Sequence, residues 1–358
     1  MTAALTFTGP VLPDGEAREL HVVDGHVTYE RPAGAERAAS GWIVPGLVDA
    51  HCHVGLGPDG PVDEETTRAQ AVADRDAGAL LLRDAGSPAD TRWVQELDDM
   101  PRLIRAGRHI ARTKRYMRGY AEEVEPAGLA DAVAAQARRG DGWVKLVGDW
   151  IDRTVGDLAP SFPAEDFAAA IKVAHEHGAR VTAHCFGTDV LDGLLEAGID
   201  CIEHGTGLTP EQVAPMAEQG TALVPTVLQL ELFPQLAAAG RERFPGYAAT
   251  MEDLYARRQQ TVMAAYDAGV PLFAGTDGGG AQRHGILPEE VLAMHRLGLP
   301  ADYVLGAASW RAREWLGWNS GLGEGDPADF VVYDADPRAD LTVLARPVAV
   351  VLRGRVVA

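Results

Sequence analysis

Two histidines two residues apart are the first side chains in this chain that point to a metal site. They close the run Val48-Asp-Ala-His51-Cys52-His53. Side chains two apart on a β-strand face the same side, so both imidazoles can bind one ion while the thiol between them points away. A His-x-His pair alone also occurs in solvated loops. The pair therefore predicts a metal site only in company with other ligands.

Three further candidate ligands follow other apolar, β-rich runs. His184 ends Arg180-Val-Thr-Ala-His, His204 ends Cys201-Ile-Glu-His, and Asp277 follows Leu272-Phe-Ala-Gly-Thr. Enzymes built on parallel α/β barrels place their chemistry at the carboxyl ends of the strands. We therefore expect these three side chains to join the paired histidines in one metal site.

The three cysteines lie near these histidines, but their offsets argue against metal binding. Cys185 is one residue from His184 and Cys201 is three residues from His204, so the thiols should face away from the ions. With Cys52 they form an odd set without zinc-ribbon or disulfide spacing. We interpret them as small buried side chains in a reducing compartment.

Lysine is rare in this chain, and one lysine lies in an apolar run. Lys145 falls within Gly142-Trp-Val-Lys-Leu-Val, where burial favours the neutral amine. A neutral lysine amine can react with carbon dioxide to form a carbamate, which can bridge two divalent metal ions. The alternative is a structural ion pair with a carboxylate such as Asp149. The residues alone leave both interpretations open.

The elements that would position these side chains alternate between strands and helices. Helical patterns cover Pro163 to His177, Asp189 to Ala197, Pro210 to Glu218 and Ala248 to Ala268. The candidate strands are Trp42 to Ala50, Gly78 to Asp84, Arg102 to Gly107, Trp143 to Val147, Arg180 to His184, Cys201 to His204, Ala222 to Thr226 and Pro271 to Thr276. Eight such units predict an α/β fold, a (β/α)8 TIM-like barrel.

Both ends of the chain carry short alternating runs separated by Pro-Asp-Gly and Asp-Gly turns, which are typical of β-hairpins. We expect residues 1–44 and 322–358 to pair into one small β-sandwich domain. Residues 45–321 would then form the barrel.

Composition narrows the class of partner. The formal net charge is −20 and the sequence pI is about 4.9, and this charge repels nucleic acids and anionic membranes. The first residues lack a basic segment followed by an apolar one, and no apolar run approaches the roughly 18 residues of a membrane helix. We expect a cytoplasmic protein that acts on a small molecule, with self-association left open.

In this order, the motifs resemble the amidohydrolase superfamily, in particular its prolidase and imidazolonepropionase-like branch. The resemblance covers essentially the whole chain and rests on Pro45-Gly-Leu-Val-Asp-Ala-His-Cys-His, Arg83-Asp-Ala-Gly, Trp143-Val-Lys, Thr182-Ala-His-Cys, Ile202-Glu-His-Gly-Thr, Ala274-Gly-Thr-Asp-Gly and Gly325-Asp-Pro-Ala-Asp-Phe-Val-Val.

The resemblance implies a site for two divalent ions. His51, His53 and Asp277 would hold the more buried ion, a carbamate of Lys145 would bridge, and the second ion would lie on His184 and His204. Imidazolonepropionases bind one ion and lack the bridging lysine, so the lysine favours the peptidase-like side. Zinc is the expected metal, and Mn, Co and Fe are alternatives for the same ligands.

The expected reaction is hydrolysis of an amide C–N bond in a small molecule such as a dipeptide, an N-acyl amino acid or a cyclic amide. A water shared by two ions supplies hydroxide, and Asp277 acts as general acid and base. Arg118 and Tyr120 are candidate substrate contacts, in a stretch where relatives often show a Gly-His-Gly loop. His284, in the glycine-rich loop after the last strand, is another; a solvated loop is the alternative for all three.

Other functions remain compatible with the same residues. A mononuclear deaminase would share the histidines and the aspartate but would not need Lys145, so a metal count near one and ammonia release would identify it. Lactonase or phosphotriesterase activity would use the same hydroxide. A non-catalytic scaffold would keep the fold without the chemistry.

Overall fold

The two ends of the chain meet in one β-sheet. The structure is a computed structural model that describes residues 4–358. Phe330–Tyr333 runs antiparallel to Trp42–Pro45, which joins the last strands to the first ones. The sheet contains, in spatial order, Arg355–Val356, Ala349–Leu352, Phe330–Tyr333, Trp42–Pro45, Leu5–Val11, Glu16–Val23 and His26–Thr28, with Glu36–Ser40 beside Leu5–Val11. This is the predicted association of the two ends, but within residues 4–358 it forms one sheet and no separate β-sandwich is seen.

Parallel strands make up the middle of the chain. A three-stranded ladder contains Arg102–Arg105, Ala79–Asp84 and Leu47–Cys52. A six-stranded ladder contains Glu122–Val124, Ile110–Arg112, Trp143–Val147, Arg180–Cys185, Cys201–His204 and Ala222–Val224. The described strands therefore form two parallel ladders, and their pairing does not by itself trace the continuous barrel sheet that the sequence predicts.

The segment 271–278 stands where the eighth strand was predicted. Leu272 forms a bridge with Leu223 of the larger ladder, and Gly278 forms one with Cys52 of the smaller ladder. These contacts are isolated bridges, and the backbone of Asp277 has a φ of 56°, outside the extended region. The segment nevertheless lies between the two ladders and bonds to both.

The first predicted strand, Trp42 to Ala50, is two strands in the structure. Trp42–Pro45 belongs to the terminal sheet, whereas Leu47–Cys52 belongs to the smaller parallel ladder. The chain passes between them at Gly46, where a Cβ would lie 2.7 Å from Leu80 Cδ1. A side chain at this crossing would clash with Leu80 and Arg313, which explains why the residue is glycine.

Helices cover the ladders. Ala164–Glu176, for example, buries Phe167, Ala170, Ile171 and Ala174, which lie on one face of the helix. The helices are Glu64–Asp76, Arg92–Gln95, Leu129–Arg139, Ala164–Glu176, Leu191–Glu196, Pro210–Gln219, Val227–Leu230, Phe233–Gly240, Pro245–Asp267, Leu287–Arg296, Ala301–Ala307 and Trp310–Trp315, with 3-10 turns at Pro126–Gly128 and Leu341–Ala345.

Two short hairpins complete the fold: Leu56–Gly57 with Gly60–Pro61, and Asp149–Asp152 with Asp157–Pro160. Across residues 4–358, none of the helices combines the length and the apolar character that crossing a bilayer requires.

Candidate metal centre

Three of the predicted ligands converge on one point. His51 Nε2 lies 3.0 Å from Asp277 Oδ1, and His53 Nε2 lies 3.1 Å from the same oxygen. The two histidine nitrogens are 3.2 Å apart. Ligand atoms bonded to one tetrahedral zinc ion at about 2.0 Å are separated by roughly 3.3 Å, so this triangle fits the face of such a coordination shell.

Asp49 fastens the two segments that carry these ligands. Its buried carboxylate accepts hydrogen bonds from the backbone N–H of His51 at 3.1 Å and from that of Thr276 at 3.0 Å. It also accepts a hydrogen bond from the hydroxyl of Thr276 at 2.6 Å. In addition, the backbone N–H of Asp277 donates to His51 O at 2.8 Å. The relative position of the histidine pair and Asp277 is therefore set by hydrogen bonds of the Asp49 side chain and of the backbone, and these bonds do not involve the ligand atoms.

Strained backbone conformations redirect side chains at this end of the strands. His204, Thr226 and Asp277 have φ values of 64°, 44° and 56°. Residues other than glycine rarely adopt this left-handed region, and such strain concentrates at functional sites. In a regular strand, the side chain of His204 would point to the opposite side from that of Glu203. The left-handed backbone at His204 therefore changes the direction in which the His204 ring points.

Hydrogen bonds fix which ring nitrogens are free for an ion. His53 Nδ1 lies 2.6 Å from Gly86 O, and a carbonyl can only accept, so this nitrogen carries the proton and Nε2 presents its lone pair to the site. His204 Nδ1 lies 2.6 Å from Thr226 Oγ1. Partners of this kind orient metal-bound histidines in proteins.

The second predicted pair, His184 and His204, lies next to the first group. Their ring centroids are 4.7 Å apart, and the His204 ring is 5.4 Å from that of His51. His184 Nε2 is buried and has no hydrogen-bond partner within residues 4–358. A buried nitrogen without a partner is costly, and a metal ion would satisfy it.

Lys145 is buried in the strand Trp143–Val147, but its structural partner differs from the one expected. The Lys145 amine pairs with Glu203, which also accepts the hydroxyl of Thr182 at 2.8 Å. Asp149, the expected partner, instead accepts the backbone N–H groups of Phe186 and Gly187. The structure therefore contains the buried ion pair that was the alternative to a carbamate, but the carboxylate is that of Glu203 and not that of Asp149.

The protonation states suit metal binding. Burial lowers the pKa of His51, His184 and His204 well below the usual value, so these rings are neutral at neutral pH. Burial also lowers the pKa of Lys145 to about 7. For Asp277, burial raises the pKa, but His51, His53 and His204 together outweigh it, so the net shift is well below the usual value. Metal ligands must be deprotonated, and these shifts favour the deprotonated forms of the three histidines and the aspartate.

A cavity of about 150 Å³ opens beside these residues. His53, Lys145, His184, His204 and Asp277 line one part of it. The remaining lining residues are mostly aromatic or aliphatic: Leu56, Tyr116, Met117, Tyr120, Trp150, Phe186, Gln229, Leu232, Leu236, Gly279, Gly280 and Ala281. Five of the six predicted metal-site residues thus share one cavity, and the sixth, His51, is fully buried.

The three predicted substrate contacts are placed differently from one another. Tyr120 lines the cavity, and its hydroxyl donates to the carbonyls of Gly57 and Pro58. Arg118 is exposed and does not line the cavity. His284 is buried away from the lining with Nδ1 2.7 Å from Asp74 Oδ2. Burial lowers the pKa of His284, but the charge of Asp74 outweighs burial and gives a net increase.

The other residues singled out from the sequence lie apart from the ligand group. Cys52, Cys185 and Cys201 are buried in the core, and none belongs to the His51, His53 and Asp277 group. The histidines His175, His177 and His295 are exposed and lie outside the cavity lining.

Sequence reasoning missed Glu203 and His109. Glu203 directly precedes His204 in the motif Ile202-Glu-His-Gly-Thr. The apolar run around Glu203 could have indicated that it is buried in the strand. His109 is buried, its ring centroid is 5.6 Å from that of His53, and neither ring nitrogen has a partner within residues 4–358. It lies just beyond the predicted third strand, in a segment with no motif to draw attention to it.

Comparison with known proteins identifies the class. The model of the amidohydrolase family matches residues 42–357, and the chain belongs to this family. It is accordingly a hydrolase acting on carbon–nitrogen bonds. An uncharacterized protein of Mycobacterium tuberculosis is 57% identical over 354 residues, which cover 98% of this chain and 95% of that protein.

Solved structures share the fold. A Xaa-Pro dipeptidase with methionine bound in its active site matches with a TM-score of 0.83 and 21% identity over 99% of each chain. A prolidase complexed with N-methylphosphonate-L-proline matches with a TM-score of 0.78 and 20% identity, again over 99% of each chain. The structural neighbours are thus prolidase-like, and at these identities the likeness concerns the fold.

Proposed function

We propose that this protein is a metal-dependent hydrolase that cleaves an amide bond of a small molecule in the cavity beside His53 and Asp277. The observation that carries the proposal is the convergence of His51 Nε2, His53 Nε2 and Asp277 Oδ1 within 3.2 Å of one another. Neutral imidazoles and a carboxylate are a ligand set that divalent transition metals accept. Membership of the amidohydrolase family supports the same reaction class.

The proposal includes the larger architecture. Segment 271–278 bonds to both parallel ladders, and this supports a (β/α)8 barrel that closes through it. We further propose the barrel as residues 45–321 and the accessory domain as residues 1–44 and 322–358. The switch of sheets at Gly46 supports the first of these boundaries.

Two divalent ions, most simply zinc, fit the residues present. His51, His53 and Asp277 would hold one ion, His184 and His204 the other, and a carbamate of Lys145 would lie between them. The unprotonated Nε2 of His53 and the unpartnered Nε2 of His184 support this assignment. The lowered pKa of Lys145 supports it as well, because only the neutral amine forms a carbamate.

The chain's own residues divide the remaining work. Bound divalent ions would acidify water and polarise the scissile carbonyl. Asp277 is ionised, so one of its oxygens can accept the proton of the attacking water and deliver it to the leaving nitrogen. The apolar walls, including Trp150 and Phe186, exclude bulk water and hold the substrate beside these groups.

Removal of metal is expected to abolish amide hydrolysis, and Zn, Mn or Co is expected to restore it. The test is amine release from a panel of small amides by chelator-treated and reconstituted protein, with metal content measured on the same samples. Treatment with chelator already saturated by zinc is the control. Full activity in protein verified to be free of metal would contradict the mechanism.

Thr226→Val is expected to weaken metal binding by about 10–100-fold, because the substitution keeps the side-chain shape but removes the hydroxyl that holds His204 Nδ1. Competition for zinc with a coloured chelator measures the change. Thr221→Val is the matched control, since its hydroxyl bonds to Ile199 O, outside the cavity lining. Equal zinc affinity in the two variants would count against His204 as a ligand.

A further inference from the structure

The walls of the active-site cavity are apolar almost throughout. Beyond the proposed metal ligands, aromatic and aliphatic side chains form most of the surface, with Tyr116, Trp150 and Phe186 grouped around His184. The Trp150 ring centroid is 5.2 Å from that of His184, and the Phe186 centroid is 4.2 Å from it. A ring or a branched apolar group of the substrate would therefore pack directly beside the reacting bond.

The cavity lining offers no unpaired cation for a substrate carboxylate within residues 4–358. No arginine of the described residues 4–358 lines this cavity, and the one lining lysine, Lys145, faces Glu203. Arg115 is held by Asp152 at 2.7 Å and by the carbonyls of Trp150 and Ala159. An anionic group bound against these walls would lose its hydration without gaining a charged partner, which is costly.

One polar side chain of the wall is left without its full set of partners. Gln229 lines the cavity, and its buried Oε1 accepts no hydrogen bond within residues 4–358. Its short helix, Val227–Leu230, is anchored where Glu290 accepts the backbone N–H groups of Val227 and Leu228 at 2.6 and 2.8 Å. A buried acceptor without a partner, on a helix whose backbone is anchored, suits an uncharged N–H donor.

We propose that the cavity selects uncharged amides with an apolar or aromatic group, whose N–H donates to Gln229 Oε1, and discriminates against amides with a free carboxylate. This inference rests on the proposed amide hydrolysis and narrows its substrate class. The selection differs from that of a dipeptidase. A dipeptide ends in a carboxylate, and these walls would have to bind that end.

A matched pair of compounds tests the selection. N-(2-hydroxyethyl)benzamide and N-benzoylglycine share the benzamide group and release the same product, benzoate, but only the second carries a carboxylate. Binding to the metal-loaded protein is measured by calorimetry, and benzoate release by chromatography. We expect the neutral compound to bind at least about tenfold more tightly and, where both react, to show a kcat/KM at least about tenfold higher.

Variants identify which groups produce the selection. Gln229→Met is expected to lower affinity for the neutral amide about three- to tenfold with metal content unchanged, as removal of one uncharged hydrogen bond does. Gln235→Met, an exposed glutamine nearby, is the matched control. Leu232→Arg or Leu236→Arg should raise affinity for N-benzoylglycine, because each adds a cation to the wall, whereas Leu232→Gln should not.

Each outcome decides between the inference and the function on which it rests. Equal or tighter binding of N-benzoylglycine would overturn the inference, and so would failure of both compounds to bind. Selective binding of the neutral amide without benzoate release would leave the inference standing and count against amide hydrolysis. An unchanged preference in both arginine variants would show that wall charge is not its cause.

Discussion

Asp277→Asn is expected to lower turnover by about two to four orders of magnitude while the protein remains folded. Asparagine is nearly isosteric with aspartate, so the backbone contacts of this segment with His51 and Asp49 can persist. Its amide cannot accept a proton from water at neutral pH, however, and the carboxylate is ionised in the structure. Initial rates at saturating substrate and metal, together with circular dichroism, measure the effect.

The control for this variant has to separate proton transfer from metal loss. Metal content is measured on the same protein, and rates are compared at metal concentrations that restore full occupancy. Asp253→Asn, an exposed aspartate on the helix Pro245–Asp267, is the matched substitution and should leave rates unchanged. Near-normal turnover of metal-saturated Asp277→Asn would exclude the proposed role.

Lys145→Ala is expected to lower both the metal content and the rate, the rate by at least about 100-fold. Loss of a bridging ligand should lower activity at least as much as loss of a residue that hydrogen-bonds to a metal ligand. Acetate or propionate should partly restore both by occupying the position of the lost carbamate. Lys145→Arg should fail as well, since a guanidinium stays protonated and cannot form a carbamate. Metal stoichiometry and hydrolysis, with and without added acid, are the measurements.

Glu203 makes the competing explanation specific. If Lys145 serves only as the partner of Glu203, arginine should be tolerated and small acids should have no effect. Glu203→Gln then offers a second test. If the pair is purely structural, removing the charge of Glu203 should have the same effects as removing Lys145. The carbamate hypothesis instead predicts that the variant still binds the same number of metal ions. Two bound ions and full activity in Lys145→Arg would end the carbamate hypothesis.

Local periodicity was enough to predict how the first two ligands lie. His51 and His53 do face the same side of their strand end, with their Nε2 atoms 3.2 Å apart, because alternation along a strand depends on nearest neighbours alone. The placement of His184 at the end of Arg180–Cys185 followed from the same kind of pattern. Helices with strong apolar faces, such as Ala164–Glu176, were predictable for the same reason.

Features that depend on contacts between distant strands were not predictable in this way. The pairing of Lys145 with Glu203 requires the register in which Lys145 lies opposite Thr182 and Thr182 opposite Cys201. No local signal in either strand specifies that register. The same holds for segment 271–278, whose geometry depends on the carboxylate of Asp49, and for Arg118, whose loop conformation leaves it exposed.

The pairing of Trp42–Pro45 with Phe330–Tyr333 also has a consequence for how the protein folds. Trp42–Pro45 is separated by one glycine from the strand that carries His51. Its antiparallel neighbour, Phe330–Tyr333, lies nearly 290 residues further along the chain. Contacts between segments so distant in sequence form slowly during folding. Until Phe330–Tyr333 pairs with it, the strand Trp42–Pro45 has an unpaired edge, and such edges promote aggregation of partly folded chains.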